Sequence, residues 1–374
     1  ANVANKRHML DAIDVYAQVQ PNLRKHDKAY PSAEDLRRVV KQGLSGTYGK
    51  PAADILGEGK DSEASNYIIE LIDRKDPEPI WFCFWGGTQE LAQALWKARR
   101  ERNPDQLAQF VSRIRVYMIA EQDGSGKWLK DEFPDLFTIT SLKAFSGMGF
   151  TANDATRKTG DLAWLNEHVR EGHGALGAMY PRSGWRAQNP GVIEGDSPSF
   201  LYLLSERLGL SHHDHPDWGG WGGRFVARSP KQWFDSPEGR DGVARWHDAR
   251  QRDFAARMDW CLKKPDQVNH APAVTLNGDN TQRVLTIKAI PGQTVPLTAA
   301  ARDRDGNAVS YHWWVYREAG TYRGDVTIVN GTAAAASLTI PGDASKATMH
   351  VVLEVTDDGS PALTTYRRAV LTVE

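Results

Sequence analysis

Residues 79–119, PIWFCFWGGTQELAQALWKARRERNPDQLAQFVSRIRVYMI, constrain this chain more than any other stretch. PIWFCFW is too short and too aromatic for an amphipathic helix and reads as a strand, and Gly86-Gly87 makes a tight turn after it. TQELAQALWKARR then places Leu91, Ala94, Leu95 and Ala98 on one helical face. A second helix opens at Asn103 as N-cap, with Pro104 at its first position and Gln106 completing a capping box. Leu107, Phe110, Val111 and Ile114 follow at helical spacing, and RVYMI reads as a buried strand. Strand–helix–strand order predicts a parallel, doubly wound α/β sheet, whose ligands bind beyond the carboxyl ends of the strands. Gly86 and Gly87 lie at one such end.

A different pattern takes over around KPDQVNHAP. After it come VLTIKAI, TVPLTAAA, VSYHWWVY, VTIV, SLTI, MHVVLEV and RRAVLTV, separated by turn signals such as DRDGN, PGDAS and DDGSPA. Short β-branched runs at this spacing predict an immunoglobulin-like β-sandwich. The expected domains are residues 1–267, α/β, and residues 268–374, all-β. DRDGN has its glycine too early for a calcium loop and is expected to be a β-turn before a strand. Trp313 and Trp314 should face opposite sides of that strand, one in the core and one exposed.

The net charge is −1, which gives no electrostatic reason to expect nucleic acid or an anionic membrane as partner. No apolar run approaches the roughly 20 residues needed to span a bilayer. The two cysteines, Cys83 and Cys261, leave disulfide pairing and redox compartment open, with Cys83 expected as a buried thiol. Neither a G-x-S-x-G elbow nor a P-loop occurs.

Three stretches could carry chemistry. VIEGDSPSFLYLL, residues 192–204, sets Glu194 and Asp196 before a helix with Pro198 at its start. Asp196 or Ser197 suits an N-cap, and a carboxylate there is also favoured by the helix dipole. HHDHPDWGGWGGRF, residues 212–225, clusters His212, His213 and His215 with Asp214 and Asp217, in no recognised zinc spacing, and reads first as a solvated loop. Its Trp218 and Trp221, flanked by glycines, are candidates for a sugar-stacking wall or, equally, for a loop packed over the core. GEGKDSEAS, residues 57–65, offers Glu58 and Lys60 as polar contacts, with Asp61 or Ser62 capping the next helix.

Residues 61–95 resemble the segment of nucleoside hydrolases that ends in a G-P-L-T-N-type turn, and GDSPSFLYLL resembles that family's later H-D-x-x-A motif. The resemblance implies a calcium ion held by the Trp85 backbone carbonyl and by Asp196. Gly195 stands where those enzymes carry a leaving-group histidine. DWGGWGGRF, GALGAMYP, GEGKDSEAS and DVYAQVQPNLRKH together resemble an uncharacterised bacterial family with a nucleoside-hydrolase-like domain and a C-terminal sandwich, often labelled cellulose-binding. The D-x-D-x-x-x-D-D-type run that supplies most calcium ligands in nucleoside hydrolases is not found before residue 60. A strand bearing it is expected upstream of Ala1, the alternative being a protein that has lost it, and the hydrolase reading depends on that strand.

The resemblance therefore implies a glycoside-processing hydrolase of the N-ribohydrolase type, acting on a furanosyl or polysaccharide-derived substrate. Glu194 would contact a sugar hydroxyl or act as an acid. The alternative is a non-catalytic carbohydrate-binding protein that keeps the fold. Secretion or periplasmic export follows from the family and the sandwich.

Overall fold

The computed structural model describes residues 4–76, 78–148, 159–182, 191–192 and 194–374. Helix α1 (Lys6–His26) opens it, capped by Asn5, whose side chain accepts from the Arg7 amide. Helix α2 (Glu63–Ile72) is capped by Ser62, which forms a reciprocal capping box with Ser65. Strand β1 (Ile80–Phe84), helix α3 (Gln89–Glu101), helix α4 (Pro104–Ser112) and strand β2 (Ile114–Ile119) then form a parallel unit. The Asn103–Gln106 capping box is present, and Leu91, Ala94, Leu95 and Ala98 are all buried.

Helix α5 (Ser125–Glu132) leads to β3 (Phe137–Ser141), parallel to β2. After helix α6 (Pro198–Arg207) come β4 (Phe225–Ser229) and β5 (Gln232–Asp235). The sheet runs β1-β2-β3-β5-β4, parallel except for the β4–β5 pair. This is an open, mostly parallel α/β sheet with β1 and β4 at its edges among the described residues. Its core packs α3 and α4 against β2 through Leu91, Leu95, Phe110, Val116 and Met118. Helix α7 (His247–Trp260) and the 3-10 turn Pro265–Gln267 close the α/β part.

Eight strands follow: β6 (Ala273–Leu276), β7 (Leu285–Ala289), β8 (Thr294–Arg302), β9 (Val309–Val315), β10 (Ile328–Val329), β11 (Ala335–Thr339), β12 (Thr348–Asp357) and β13 (Thr364–Val373). They form two four-stranded sheets, β10-β11-β8-β6 and β7-β13-β12-β9. Val295 and Leu297 alternate with exposed neighbours along β8, as a sheet with one wet face requires. With Leu338, Val351, Leu353 and Leu371 they fill the sandwich core.

The two parts share a further apolar cluster. Leu201, Leu210, Trp221, Val243 and Trp246 of the α/β part pack with Tyr316, Val352 and Tyr366 of the sandwich. Trp313 lies in the sandwich core, as expected of one of the pair. Trp314 is not the exposed partner: it is half-buried against Trp246 and Tyr316 at this junction. The outer face of β9 is covered by the other domain, which strand alternation alone cannot reveal.

Candidate functional site

The carboxyl ends of β1 and β2 meet at a buried polar knot. A side chain at Gly87 would put its Cβ 1.6 Å from Asp123 Oδ2, so only glycine fits the turn after β1. Asp123 Oδ1 accepts from the Ser125 amide at 3.0 Å and from the Ser125 hydroxyl. Ser125 Oγ in turn accepts from the Thr88 amide at 3.1 Å and lies 2.7 Å from Thr88 Oγ1. Asp123, Thr88, Ser125 and Gln89 are all buried. The sequence signal for this knot was the pair GG and DGS, each at the end of a parallel strand. Asp123 was not singled out because a D-G-S run usually marks a turn.

Beside the knot, Trp85 is 57% exposed, the most open tryptophan position described at this end of the sheet. Its indole Nε1 donates to Ser199 Oγ, and its ring meets Phe200 edge-to-face at 6.2 Å. Ser199 Oγ donates to the Asp196 carbonyl at 3.0 Å, and the Ser199 carbonyl accepts from Cys83 Sγ. Trp85 and the Asp196 turn, widely separated in sequence, are thus joined at the start of α6. Ser197 is the N-cap residue of α6, yet neither it nor Asp196 makes a side-chain capping bond. The Asp196 carboxylate is left pointing outward; partial burial raises it above the usual aspartate range.

Glu194 occupies a different setting. It is half-buried, and its Oε1 accepts from the Tyr180 hydroxyl at 3.2 Å. Burial raises its carboxyl above the ordinary glutamate value, opposed by the charge of Arg250 and by the Tyr180 hydrogen bond. Such a carboxyl holds its proton to higher pH than a solvated one.

The expected tryptophan wall does not form. Trp221 is 3% exposed and packs edge-on to Tyr366 in the interdomain cluster. Trp218 is half-buried, with one face covered by the His215 ring at 3.9 Å and the His350 ring against it at 5.4 Å. The glycines around them serve close packing rather than exposure. A Cβ at Gly222 would lie 2.4 Å from the Pro198 carbonyl oxygen and the Tyr202 amide nitrogen, and one at Gly220 2.6 Å from Ser205 Oγ. Glu58 and Lys60 sit on an exposed loop, with Glu58 facing Arg100 at 3.8 Å.

The HHDH loop is not merely solvated. Glu206, His212 and His213 form a cluster whose ligand atoms lie within 4.8 Å of one another, a set that could hold a metal ion. The Asp214 amide donates to His212 Nδ1 at 3.1 Å, so the neutral ring carries its proton on Nε2, the atom facing Glu206 at 3.6 Å. Glu206 also bonds His213 Nδ1. Two imidazoles and one carboxylate are a donor set for zinc or a similar ion rather than for calcium, which takes oxygen. No helix among the described residues is long and apolar enough to cross a membrane.

Residues 1–225 match the model of the "Cellulose-binding Sde182, nucleoside hydrolase-like domain", and residues 294–373 match that of the "Cellulose-binding protein Sde0182, C-terminal domain". A nucleoside hydrolase-related hypothetical protein from Saccharophagus degradans, described as associated with carbohydrate metabolism, is 34% identical. The match covers 100% of this chain and 89% of that one, with a TM-score of 0.86. The PKD domain of the KIAA 1837 protein is 17% identical over 24% of this chain and 79% of its own, with a TM-score of 0.19. No curated protein matches.

Proposed function

Given that the chain belongs to the cellulose-binding Sde182 family, with its nucleoside hydrolase-like domain and its own C-terminal domain, we propose that it is a carbohydrate-binding protein that retains a hydrolase fold. The ligand is a polysaccharide of the cellulose or plant cell-wall class. The observation that carries this reading is Trp85, an exposed indole held in place by Ser199 and Phe200 at the carboxyl end of the sheet. A fixed aromatic face stacks on the apolar face of a sugar ring with little loss of side-chain entropy. The outward carboxylate of Asp196 lies on the adjoining turn, where it can accept from sugar hydroxyls. Export to the periplasm or the medium belongs to the same proposal, since that is where such a polymer is met.

The test is depletion of the protein from solution by insoluble cellulose and by xylan. We expect Trp85→Ala to abolish retention and Trp218→Ala to leave it within about twofold, since one stacked base or sugar contact is worth roughly 1–3 kcal/mol. Equal retention of wild type and Trp85→Ala would overturn the reading.

Glu194 supports a second reading, glycoside hydrolysis, because a carboxyl with a raised pKa can donate a proton to a leaving group. Calcium would belong to that reading, held by Asp196 and the Trp85 carbonyl. One carboxylate and one carbonyl give at most about three of the six to eight oxygens that the ion takes. The described residues therefore do not fit calcium, and no catalytic step is derived through it. Release of free base from nucleosides by the wild type, lost in Glu194→Gln, would favour hydrolysis over binding.

A further inference from the structure

The interdomain linker passes through a stack of rings that the carbohydrate reading does not use. His26, the last residue of α1, lies flat on Trp260 at the end of α7, with centroids 5.1 Å apart and planes 3° apart. His270, in the linker, covers Trp260 as well, at 5.0 Å. Its ring is buried. Asp305, in the loop between β8 and β9 of the sandwich, completes the group. The contacts run in a line: His26 Nε2 to the Lys263 carbonyl at 2.9 Å, His26 Nδ1 to His270 Nε2 at 3.1 Å, and His270 Nδ1 to Asp305 Oδ2 at 3.1 Å.

Counting protons along that line fixes their number. A carbonyl only accepts, so His26 Nε2 carries hydrogen, and the Asp305 carboxylate accepts, so His270 Nδ1 carries one too. The contact between the rings needs one further hydrogen, on His26 Nδ1 or on His270 Nε2. All three bonds are made only when the two rings together hold three hydrogens, one ring being an imidazolium. Asp305 balances the charge, and it also accepts from the His270 amide at 2.8 Å.

We propose that His26, His270 and Asp305 form a one-proton clamp that locks α1, the linker and the sandwich together, and that adding or removing a proton opens it. A fourth hydrogen sets N–H against N–H between the two rings. Loss of the third leaves one of the three contacts with two acceptors and no hydrogen between them. The surrounding charges favour the neutral form of His26. Lys25 and Arg304 add positive charge near it, Arg257 lies over the far ring Trp260, and Lys263 follows on the linker side. Desolvation first, then the charges of His270, Arg304 and Lys25, hold the His26 pKa below the ordinary 6.5, opposed by the hydrogen bond to the Lys263 carbonyl. Asp305 is the carboxylate bonded to the rings, while Asp303 is occupied with the amides of Asp305 and Asn307. The clamp sits where two domains join, so its state sets the freedom of one against the other.

The test uses the full chain with nitrogen-15-labelled histidine and long-range nitrogen–proton NMR correlation at pH 7. The two rings together should show three protonated ring nitrogens, among them His26 Nε2 and His270 Nδ1. Two or four protonated nitrogens would overturn the clamp. Urea denaturation against pH gives a second readout. His26→Phe keeps the stack on Trp260 and removes the bond between the rings. It should cut the proton uptake on unfolding between pH 5 and 6.5 by up to about one proton. An unchanged uptake in His26→Phe would likewise overturn it.

Discussion

Arg368, fully buried in strand β13, donates from Nη1 to the backbone carbonyl of Trp218 at 2.7 Å. Its Nη2 reaches the Gly219 carbonyl at 3.3 Å. The guanidinium thus fastens the sandwich to the W-G-G-W loop of the α/β domain. Nearby, the Tyr316 hydroxyl donates to Glu238 at 3.2 Å, and Glu238 also pairs with Arg224 and Arg245. Burial lowers the pKa of Arg368 to about 10, still well above neutrality, so the charge persists.

Replacing that cation leaves two interdomain carbonyls short of a donor. Arg368→Met should cost about 3 kcal/mol in urea unfolding, since each buried unmade bond costs about 1–3 kcal/mol. Lys288→Met, which removes an exposed pair with Glu374, should leave the urea unfolding midpoint unchanged.

The glycines of the same loop predict a sharp contrast. Gly222→Ala drives a methyl into backbone atoms of α6 and should lower stability by about 3 kcal/mol or prevent soluble expression. Gly342→Ala, with nothing within 4 Å of the added carbon and no left-handed φ, should be neutral. Expression and thermal melting of the two variants side by side check this.

His350 lies against Trp218 and near Arg368, and burial with that charge pushes its pKa down to about 3 from 6.5. The unfolded chain therefore binds a proton that the folded chain refuses. Stability contributed by the neutral ring is present above pH 6.5 and is lost as pH falls from 6.5 toward 3, by on the order of 4 kcal/mol if the shift is fully expressed. His350→Phe should flatten that acid limb in urea titrations at several pH values.

Both cysteines are free, and burial raises each thiol to about 11. Thiolate is the reactive form, so both should react with Ellman's reagent at pH 8 far more slowly than a solvated thiol. In urea, two equivalents should react rapidly. Fast labelling of the folded protein would show that this packing opens in solution.

The capping box at Asn103 and the buried stripe of α3 were legible because local spacing alone sets them. So was the alternation that makes β8 half-buried. Trp218 and Trp221 took the packed of two open alternatives for a physical reason. Glycine beside an aromatic permits either exposure or close packing, and the choice depends on which backbone approaches from elsewhere. Here α6 and the sandwich approach. Trp314 turned inward for the same reason.

Asp123 stayed hidden because its partners come from separate turns, and no short-range signal links a D-G-S turn to a G-G turn. Glu206 was not read with His212 and His213, because the helix end that brings it to them gives no sequence signal. What the sequence by itself determined is the parallel α/β unit, the sandwich after it and the helix ends, all set by periodicity and caps within a few residues. The tertiary structure alone decided which tryptophan meets solvent, which acid is buried and which histidines meet across the domain junction. Those properties depend on desolvation and on hydrogen-bond partners brought from as far away as the other domain.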